Sequence, residues 1–284
     1  MNIKLIFNPE AGNKKIDLNN IIKFFENKKH TIKLFITQKK GDARKFVSKK
    51  DSYDTIVIIG GDGTLNEVIN GLQNYHVKIG LIPSGTENVL SKELKIPLNV
   101  QKACEIIHKG KTITADIGSS NETKFLFVVG VGFDAHAIRN VNTRLKKIFG
   151  KHSYKIAAIK TLFQHKAEEL TITINKKKTK AYFAIITNIK KYAGNILVAP
   201  NAEFNDGQFE LCLFKNKDIW STIKYLTSIS SGKLSNNKDM EIYQITTATI
   251  ESKIPVLYHT DAEIGGTTPL KIKILRQKLN IIVP

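Results

Sequence analysis

Residues 55–66 constrain this chain more than any other stretch. Thr55, Ile56, Val57, Ile58 and Ile59 form a continuous β-branched run, and Gly60-Gly61-Asp62-Gly63-Thr64-Leu65-Asn66 follows directly. An unbroken apolar run bounded by glycine suits a strand buried on both faces of a parallel sheet. Leu65, Val68, Ile69 and Leu72 then recur at helical spacing. A glycine-rich turn between a strand and a helix N-terminus lets the backbone approach a ligand closely and suits phosphate. The turn is neither G-x-G-x-x-G nor G-x-x-x-x-G-K-[ST], so neither standard nucleotide fingerprint applies. By itself it also fits a plain strand-to-helix turn with an incidental aspartate.

Two further segments repeat the pattern. Residues 78–82 are a short apolar stretch, followed by Pro83-Ser84-Gly85-Thr86-Glu87-Asn88 and a helix-like Val89, Leu90 and Leu94. Residues 3–7 read as a strand, followed by the polar, turn-rich Asn8-Pro9-Glu10-Ala11-Gly12-Asn13-Lys14-Lys15, whose amide and lysines suit phosphates. Turns on neighbouring strands of an open α/β sheet meet at its carboxyl edge, where ligands bind.

These residues resemble the catalytic domain of diacylglycerol kinases, shared with sphingosine and ceramide kinases and with soluble bacterial lipid kinases. The resemblance rests on Asn8-Pro9 with Gly12, on residues 60–67 with Asn70-Gly71, and on Pro83-Ser84-Gly85-Thr86 with Asn88. Later markers extend it along the chain: Asp116, residues 130–134, Gly194, residues 200–207, and Asp261 with Glu263. NAD kinases share the Gly-Gly-Asp-Gly-Thr turn alone.

The resemblance implies an N-terminal, three-layer Rossmann-like α/β domain of the NAD kinase/lipid kinase type that binds ATP, and a C-terminal β-rich sandwich domain that takes the lipid substrate. The expected division is 1–118 and 119–269, with about 270–284 packing back on the first domain. ATP is expected at Asn8, Gly12, Gly60, Gly61, Asp62, Gly63, Thr64, Glu67, Ser84, Gly85, Thr86 and Asn88. Mg²⁺ is expected with Asp62 and Asp116, and at a second place with Asp206 and the carbonyls of Glu203 and Gln208. An all-oxygen set suits a hard cation, although Asn205-Asp206-Gly207 is equally an ordinary Asx-turn sequence.

The catalytic pair is expected to be Asp261 as general base, supported by Glu263. Phosphoryl transfer needs positioning and charge stabilisation, with a carboxylate to accept the hydroxyl proton. Spacing alone is equally served by two solvent-facing turn carboxylates. The chain departs from the family pattern twice. Ala262 stands where Asp-Gly-Glu has glycine, and alanine does not readily adopt positive φ. Val89 stands where many members carry aspartate.

The expected reaction is transfer of the ATP γ-phosphate to a lipid hydroxyl, with diacylglycerol as first choice. Another lipid such as a sphingoid base or ceramide, an NAD kinase-like activity, and a catalytically weak membrane-binding regulatory protein are the alternatives.

Of the 284 residues, 44 are Lys or Arg and 25 are Asp or Glu, giving a formal charge of +19. That balance fits attraction to an anionic membrane surface, or a generally lysine-rich composition. No zinc spacing or RNA-binding aromatic motif supports a specific nucleic-acid partner. Cys104 and Cys212 each lie among apolar neighbours, which suits free thiols. With no secretory signal and no apolar run of spanning length, a cytoplasmic enzyme acting peripherally at the inner membrane surface is expected. An oligomeric state is not readable.

Helices are expected over 16–27, 41–50, 98–108, 154–163 and 219–229, the last carrying Trp220. Further strands are expected over 31–36, 112–115 and 124–131. Residues 170–174 and 180–187 are expected to form a hairpin across the polar turn 175–178. Residues 208–214 alternate. Single strands are expected over 241–250, 254–258 and 270–275.

Overall fold

The computed structural model describes residues 1–12, 15–49, 52–139, 167–192, 196–218, 221 and 239–284. Its chain divides into two compact units, Met1–Ala115 with Gln277–Pro284, and Asp116–Arg276.

The first unit alternates strand and helix: β1 (Asn2–Phe7), α1 (Leu18–Asn27), β2 (Thr31–Ile36), α2 (Asp42–Val47), β3 (Thr55–Gly60), α3 (Asp62–Gly71), β4 (Lys78–Pro83), α4 (Val89–Glu93), α5 (Val100–Lys109) and the start of β5 (Thr112–Ser120). The strand order is β2-β1-β3-β4, all parallel, and Asn280 and Ile281 near the C-terminus pair in parallel with Lys78 and Ile79. All six residues of β3 are buried, as the unbroken apolar run requires of a central parallel strand. Val57 and Ile59 join Ile3, Leu5 and Ile82 in one core cluster with Phe25 of α1 and Ile107 of α5. Ile56 and Ile58 alternate to the other face and are equally buried. There α3 packs on β3 and α2 packs on α3. Helices therefore cover both faces. Asp17 and Asn99 cap α1 and α5 by accepting the amides of Asn20 and Lys102.

One lysine of the basic excess has a structural use. Lys4 is buried in β1, where its Nζ donates to the carbonyls of Phe46 and Lys49 and lies 4.1 Å from the Tyr53 ring centroid.

The second unit contains the rest of β5, then β6 (Thr123–Phe125), β7 (Val128–Val131), α6 (Phe133–Arg139), β8 (Leu170–Ile174), β9 (Lys177–Ala181), β10 (Phe183–Thr187), β11 (Lys191–Tyr192), β12 (Ile196–Leu197) and β13 (Phe209–Phe214). It continues with β14 (Met240–Ile245), β15 (Thr247–Ser252), β16 (Leu257–Thr260), β17 (Glu263–Thr267) and the first part of β18 (Leu270–Ile282). One sheet runs β14-β13-β10-β7-β16-β17, and β18-β15-β8-β9 belong to another. Phe125, Val129, Ile172, Ile186, Leu211, Ile250 and Ile272 share one core. This is the β-rich sandwich.

Several expectations are corrected here. The hairpin partner of β8 is Lys177–Ala181, and Ile174 pairs with Lys177. Asn175 and Lys176 both have positive φ, as a two-residue primed turn demands. Residues 183–187 instead lie between β7 and β13 in the other sheet. Residues 241–250 are two strands, because the chain changes sheets at Thr246. β13 does not alternate in burial: all six residues are buried, Glu210 among them. The strand expected over 254–258 is β16, Leu257–Thr260, and the one over 270–275 runs to Ile282. The helices expected over 154–163 and 219–229, and the marker Gly194, lie outside the described residues apart from Ser221.

Candidate active site

In the first unit three turns meet at the carboxyl ends of β1, β3 and β4. The Asn8 amide donates to the Ile59 carbonyl at 2.9 Å, and its side-chain Nδ2 donates to Thr64 Oγ1 at 2.9 Å. The Ser84 amide donates to the Gly60 carbonyl at 3.0 Å. Gly61 and Gly85 are packed backbone to backbone: a Cβ on Gly85 would lie 2.5 Å from Gly61 Cα. Gly12 closes the third side, since a Cβ there would lie 2.1 Å from the Ser84 carbonyl oxygen. Glycine at these positions is a condition of the turns touching at all.

Within this cluster Asn88 is buried at positive φ and donates through Nδ2 to the Gly85 carbonyl at 2.7 Å. Asn88 Oδ1 and Ser84 Oγ are both buried without a protein hydrogen-bond partner. Buried polar atoms are nearly always paired, so two such atoms in one glycine-lined cluster suit a polar ligand. Thr64 is buried, while Gly63 and Thr86 are exposed.

Asp62 opens α3 and accepts the backbone amides of Val89 and Leu90, which begin α4. Burial pushes its carboxyl above the ordinary value, a rise that these two amides and nearby Lys92 oppose. The Val89 departure is thereby placed: the backbone of that residue holds Asp62. Glu87 pairs with Lys92 at 3.2 Å, and its charge adds to the rise of the Asp62 carboxyl. Glu67 is drawn away from the turns. Its two oxygens accept the amides of Gly41 at 2.8 Å and Ala43 at 3.2 Å, which caps α2.

In the second unit Thr260 pairs with Glu263, so Asp261 and Ala262 are the two central residues of the β16–β17 hairpin turn. Both have positive φ, +48° and +65°. The geometry suited to glycine is kept with alanine in it. The Asp261 carboxylate accepts three backbone amides at 2.9 Å each: Leu126 on Oδ2, Phe127 and Val128 on Oδ1. These donors stabilise the ionised carboxylate and fix its orientation. Glu263 is half-buried at the start of β17.

Asp116 is buried and tied to the 200–208 loop. Its amide donates to the Phe204 carbonyl at 2.7 Å, and its Oδ2 accepts the Gly207 amide at 2.7 Å. Asp206 Oδ1 accepts the Gln208 amide at 3.0 Å, which closes an Asx turn. Glu203 is exposed and Gln208 half-buried. Asp116, in β5, is thus hydrogen-bonded to the loop that carries Asp206. Among the described residues no group of three or more His, Cys, Asp or Glu could hold a metal ion. What the loop offers is single carboxylates with carbonyls, a donor set that Mg²⁺ takes only with several of its own waters.

Two residues escaped the sequence reading. Asn188 is buried and donates to the carbonyls of Asp116 at 3.1 Å and Leu126 at 3.3 Å, supporting the segment whose amides hold Asp261. His259 is buried two residues before Asp261, and its partner is Asp134. The i, i+2 spacing along a strand was the available signal.

Residues 2–120 match the diacylglycerol kinase catalytic domain, and residues 127–283 match the YegS C-terminal NAD kinase beta sandwich-like domain. The chain belongs to the diacylglycerol kinase family. It is 27% identical over 289 residues to a diacylglycerol kinase of Staphylococcus haemolyticus, covering 99% of this chain and 88% of that one. It is also 27% identical over 291 residues to one of Staphylococcus aureus, at 99% and 92% coverage. A solved structure from Bacillus anthracis superposes with a TM-score of 0.80 at 25% identity, covering 100% of this chain and 97% of that one. A Bacillus anthracis diacylglycerol kinase at 22% identity shares the fold with a TM-score of 0.75, again at 100% and 97% coverage. Membership makes this a kinase-family protein of α/β plus β-sandwich construction. Among the described residues no helix is long and apolar enough to cross a membrane.

Proposed function

We propose that the protein is an ATP-dependent lipid kinase, with diacylglycerol as substrate and phosphatidic acid as product. The observation that carries this reading is the cluster of three turns in the first unit, where Ser84 Oγ and Asn88 Oδ1 are buried without partners beside the Gly61–Gly85 contact. Backbone amides at the start of α3, the ten-residue helix that follows the glycine turn, suit phosphate oxygens.

The lipid hydroxyl oxygen attacks the γ-phosphorus, the bond to the β,γ-bridging oxygen breaks, and ADP leaves. Asp261 receives the hydroxyl proton. The three amides fix where the carboxylate stands, so its contribution is position, with the proton moving as transfer proceeds. Mg²⁺ carried with the phosphates would neutralise their charge, and Asp62 is the carboxylate of the turn cluster suited to its water shell. The charge of +19 supports transient contact with an anionic membrane, where such a substrate resides.

The test is the purified full chain with labelled ATP and Mg²⁺ against diacylglycerol, ceramide, a sphingoid base and NAD. Label in phosphatidic acid is expected. Label in the NAD product, or in no lipid, overturns the proposal.

A further inference from the structure

We infer that His259 and Asp134 form a buried positioning pair that sets the turn carrying Asp261. The step from position to turnover rests on the reading of Asp261 as proton acceptor; the pairing itself does not.

His259 lies in β16 with no exposed surface, and its Nε2 is 2.7 Å from Asp134 Oδ2 in α6. Its other nitrogen, Nδ1, is 3.3 Å from the backbone nitrogen of Ala262. A backbone amide only donates, so Nδ1 must be the bare, accepting nitrogen. The ring hydrogen then sits on Nε2 and is donated to the Asp134 carboxylate. This is the arrangement in which a carboxylate sets the tautomer and orientation of an imidazole, and the imidazole's far side does the holding. A single ring links a carboxylate far away in sequence to the residue next to Asp261.

The backbone makes room for the pair. His259 is opposite Gly130 across the β16–β7 ladder. A Cβ on Gly130 would lie 1.9 Å from Asp134 Oδ2 and 2.3 Å from His259 Nε2. Any side chain at 130 would expel one partner or the other.

The turn has a reason to need holding. Asp261 and Ala262 occupy consecutive left-handed positions, a conformation that costs any residue with a Cβ and is normally met by glycine at the second place. Asp261 is gripped through its carboxylate by the amides of residues 126–128. Ala262 has no polar side chain to grip, and the contact that the structure provides is through its N–H to His259. The pair therefore fixes the half of the turn that the three amides do not reach. His259 and Asp134 touch no reacting atom; they act through Ala262.

The experiment uses the full chain with His259→Leu, His259→Gln, Asp134→Asn and the double variant His259→Leu/Ala262→Gly. Four quantities are read: the ¹⁵N shifts of the wild-type His259 ring, hydrogen exchange at the Ala262 amide, kcat for lipid phosphorylation, and the ATP dissociation constant. The wild-type ring is expected to show a bare Nδ1 and a protonated Nε2. His259→Leu should speed exchange at Ala262 and lower kcat by up to about 10²-fold, the scale of a misplaced catalytic group, with ATP affinity unchanged. His259→Gln and Asp134→Asn should be milder, because each keeps a polar partner for the contact it replaces. Adding Ala262→Gly should restore kcat to the leucine variant, since glycine adopts the turn unaided; a mere loss of core packing would not be rescued this way. A ring with its hydrogen on Nδ1, or a folded His259→Leu variant with unchanged Ala262 exchange, overturns the pair. Should His259→Leu not fold, the wild-type ring shifts and the two conservative variants decide the matter. If the wild-type chain phosphorylates no lipid, the proposed function fails, while the ring and exchange measurements still judge the pair.

Discussion

Replacing Asp261 by asparagine should produce two separable losses, and the structure sets the size of each. The carboxylate takes one amide on Oδ2 and two on Oδ1. Asparagine offers one oxygen and one NH₂, so in either orientation at least one amide of residues 126–128 faces a donor. Losing a hydrogen bond to a charged group costs about 1.5–3 kcal/mol. For a domain of this size that lowers the melting temperature by about 3–12 °C. The second loss is chemical. If Asp261 accepts the proton, its removal costs about 10²- to 10⁴-fold in turnover, equivalent to about 2.7–5.4 kcal/mol of barrier. ATP affinity should not move, because the turn cluster belongs to the other compact unit. The assay pairs thermal melting with steady-state phosphorylation of diacylglycerol, run well below the variant's transition, and with ATP titration. A lowered melting temperature with near-full turnover would show Asp261 to be an anchor for residues 126–128 and no base, and would shift the proton to Glu263. An unchanged melting temperature would refute the anchoring argument itself.

Three further outcomes are expected. Gly85→Ala puts a Cβ 2.5 Å from Gly61 Cα, an overpacking that costs about 1–3 kcal/mol and should weaken ATP binding about tenfold or more; calorimetric titration of a folded variant with wild-type affinity would detach the nucleotide from this cluster. Burial raises the Asp62 carboxyl above its ordinary value of 3.8, so the folded state ionises it less readily than the unfolded one. Its contribution to stability therefore declines as pH rises from that value through the raised one, and is flat above. Asp62→Asn should remove that decline in melts across the acid range while lowering turnover; a steeper decline in the variant would reverse the sign of the argument. Finally, liposome sedimentation should show binding that increases with anionic lipid and falls with salt, and equal binding to neutral vesicles would reduce the charge of +19 to composition.

What was legible in the sequence followed from local rules. The run 55–59 could be buried on both faces only as a central parallel strand, and the glycines after it left one place for a turn, so β3 and the start of α3 were readable. What was not legible depends on partners far along the chain. Lysine is not a turn signal, yet Lys176 takes positive φ because the β8–β9 register leaves two residues for the turn. Nothing local marks Thr246 as the point where the chain changes sheets. Glu67 travels with the glycine turn in sequence, but the helix carries its carboxylate to the amides of α2, 24 and 26 residues earlier. His259 looks like an ordinary strand residue until Asp134, 125 residues away, is set beside it.

The two departures from the family pattern show why side-chain identity can mislead about a site that is largely backbone. At residue 89 the sequence records a missing carboxylate, but the contact to Asp62 comes from the residue's amide, which every residue except proline supplies. At residue 262 the sequence records a missing glycine, but the left-handed turn survives, with its amide received by His259. In the first case the backbone makes the side chain's identity irrelevant to the bond that holds Asp62. In the second, a histidine whose importance depends on the substitution makes an unfavourable residue tolerable. A glycine at 262 would need His259 less, so the two positions should be energetically coupled: the cost of losing the histidine is set by what stands three residues later.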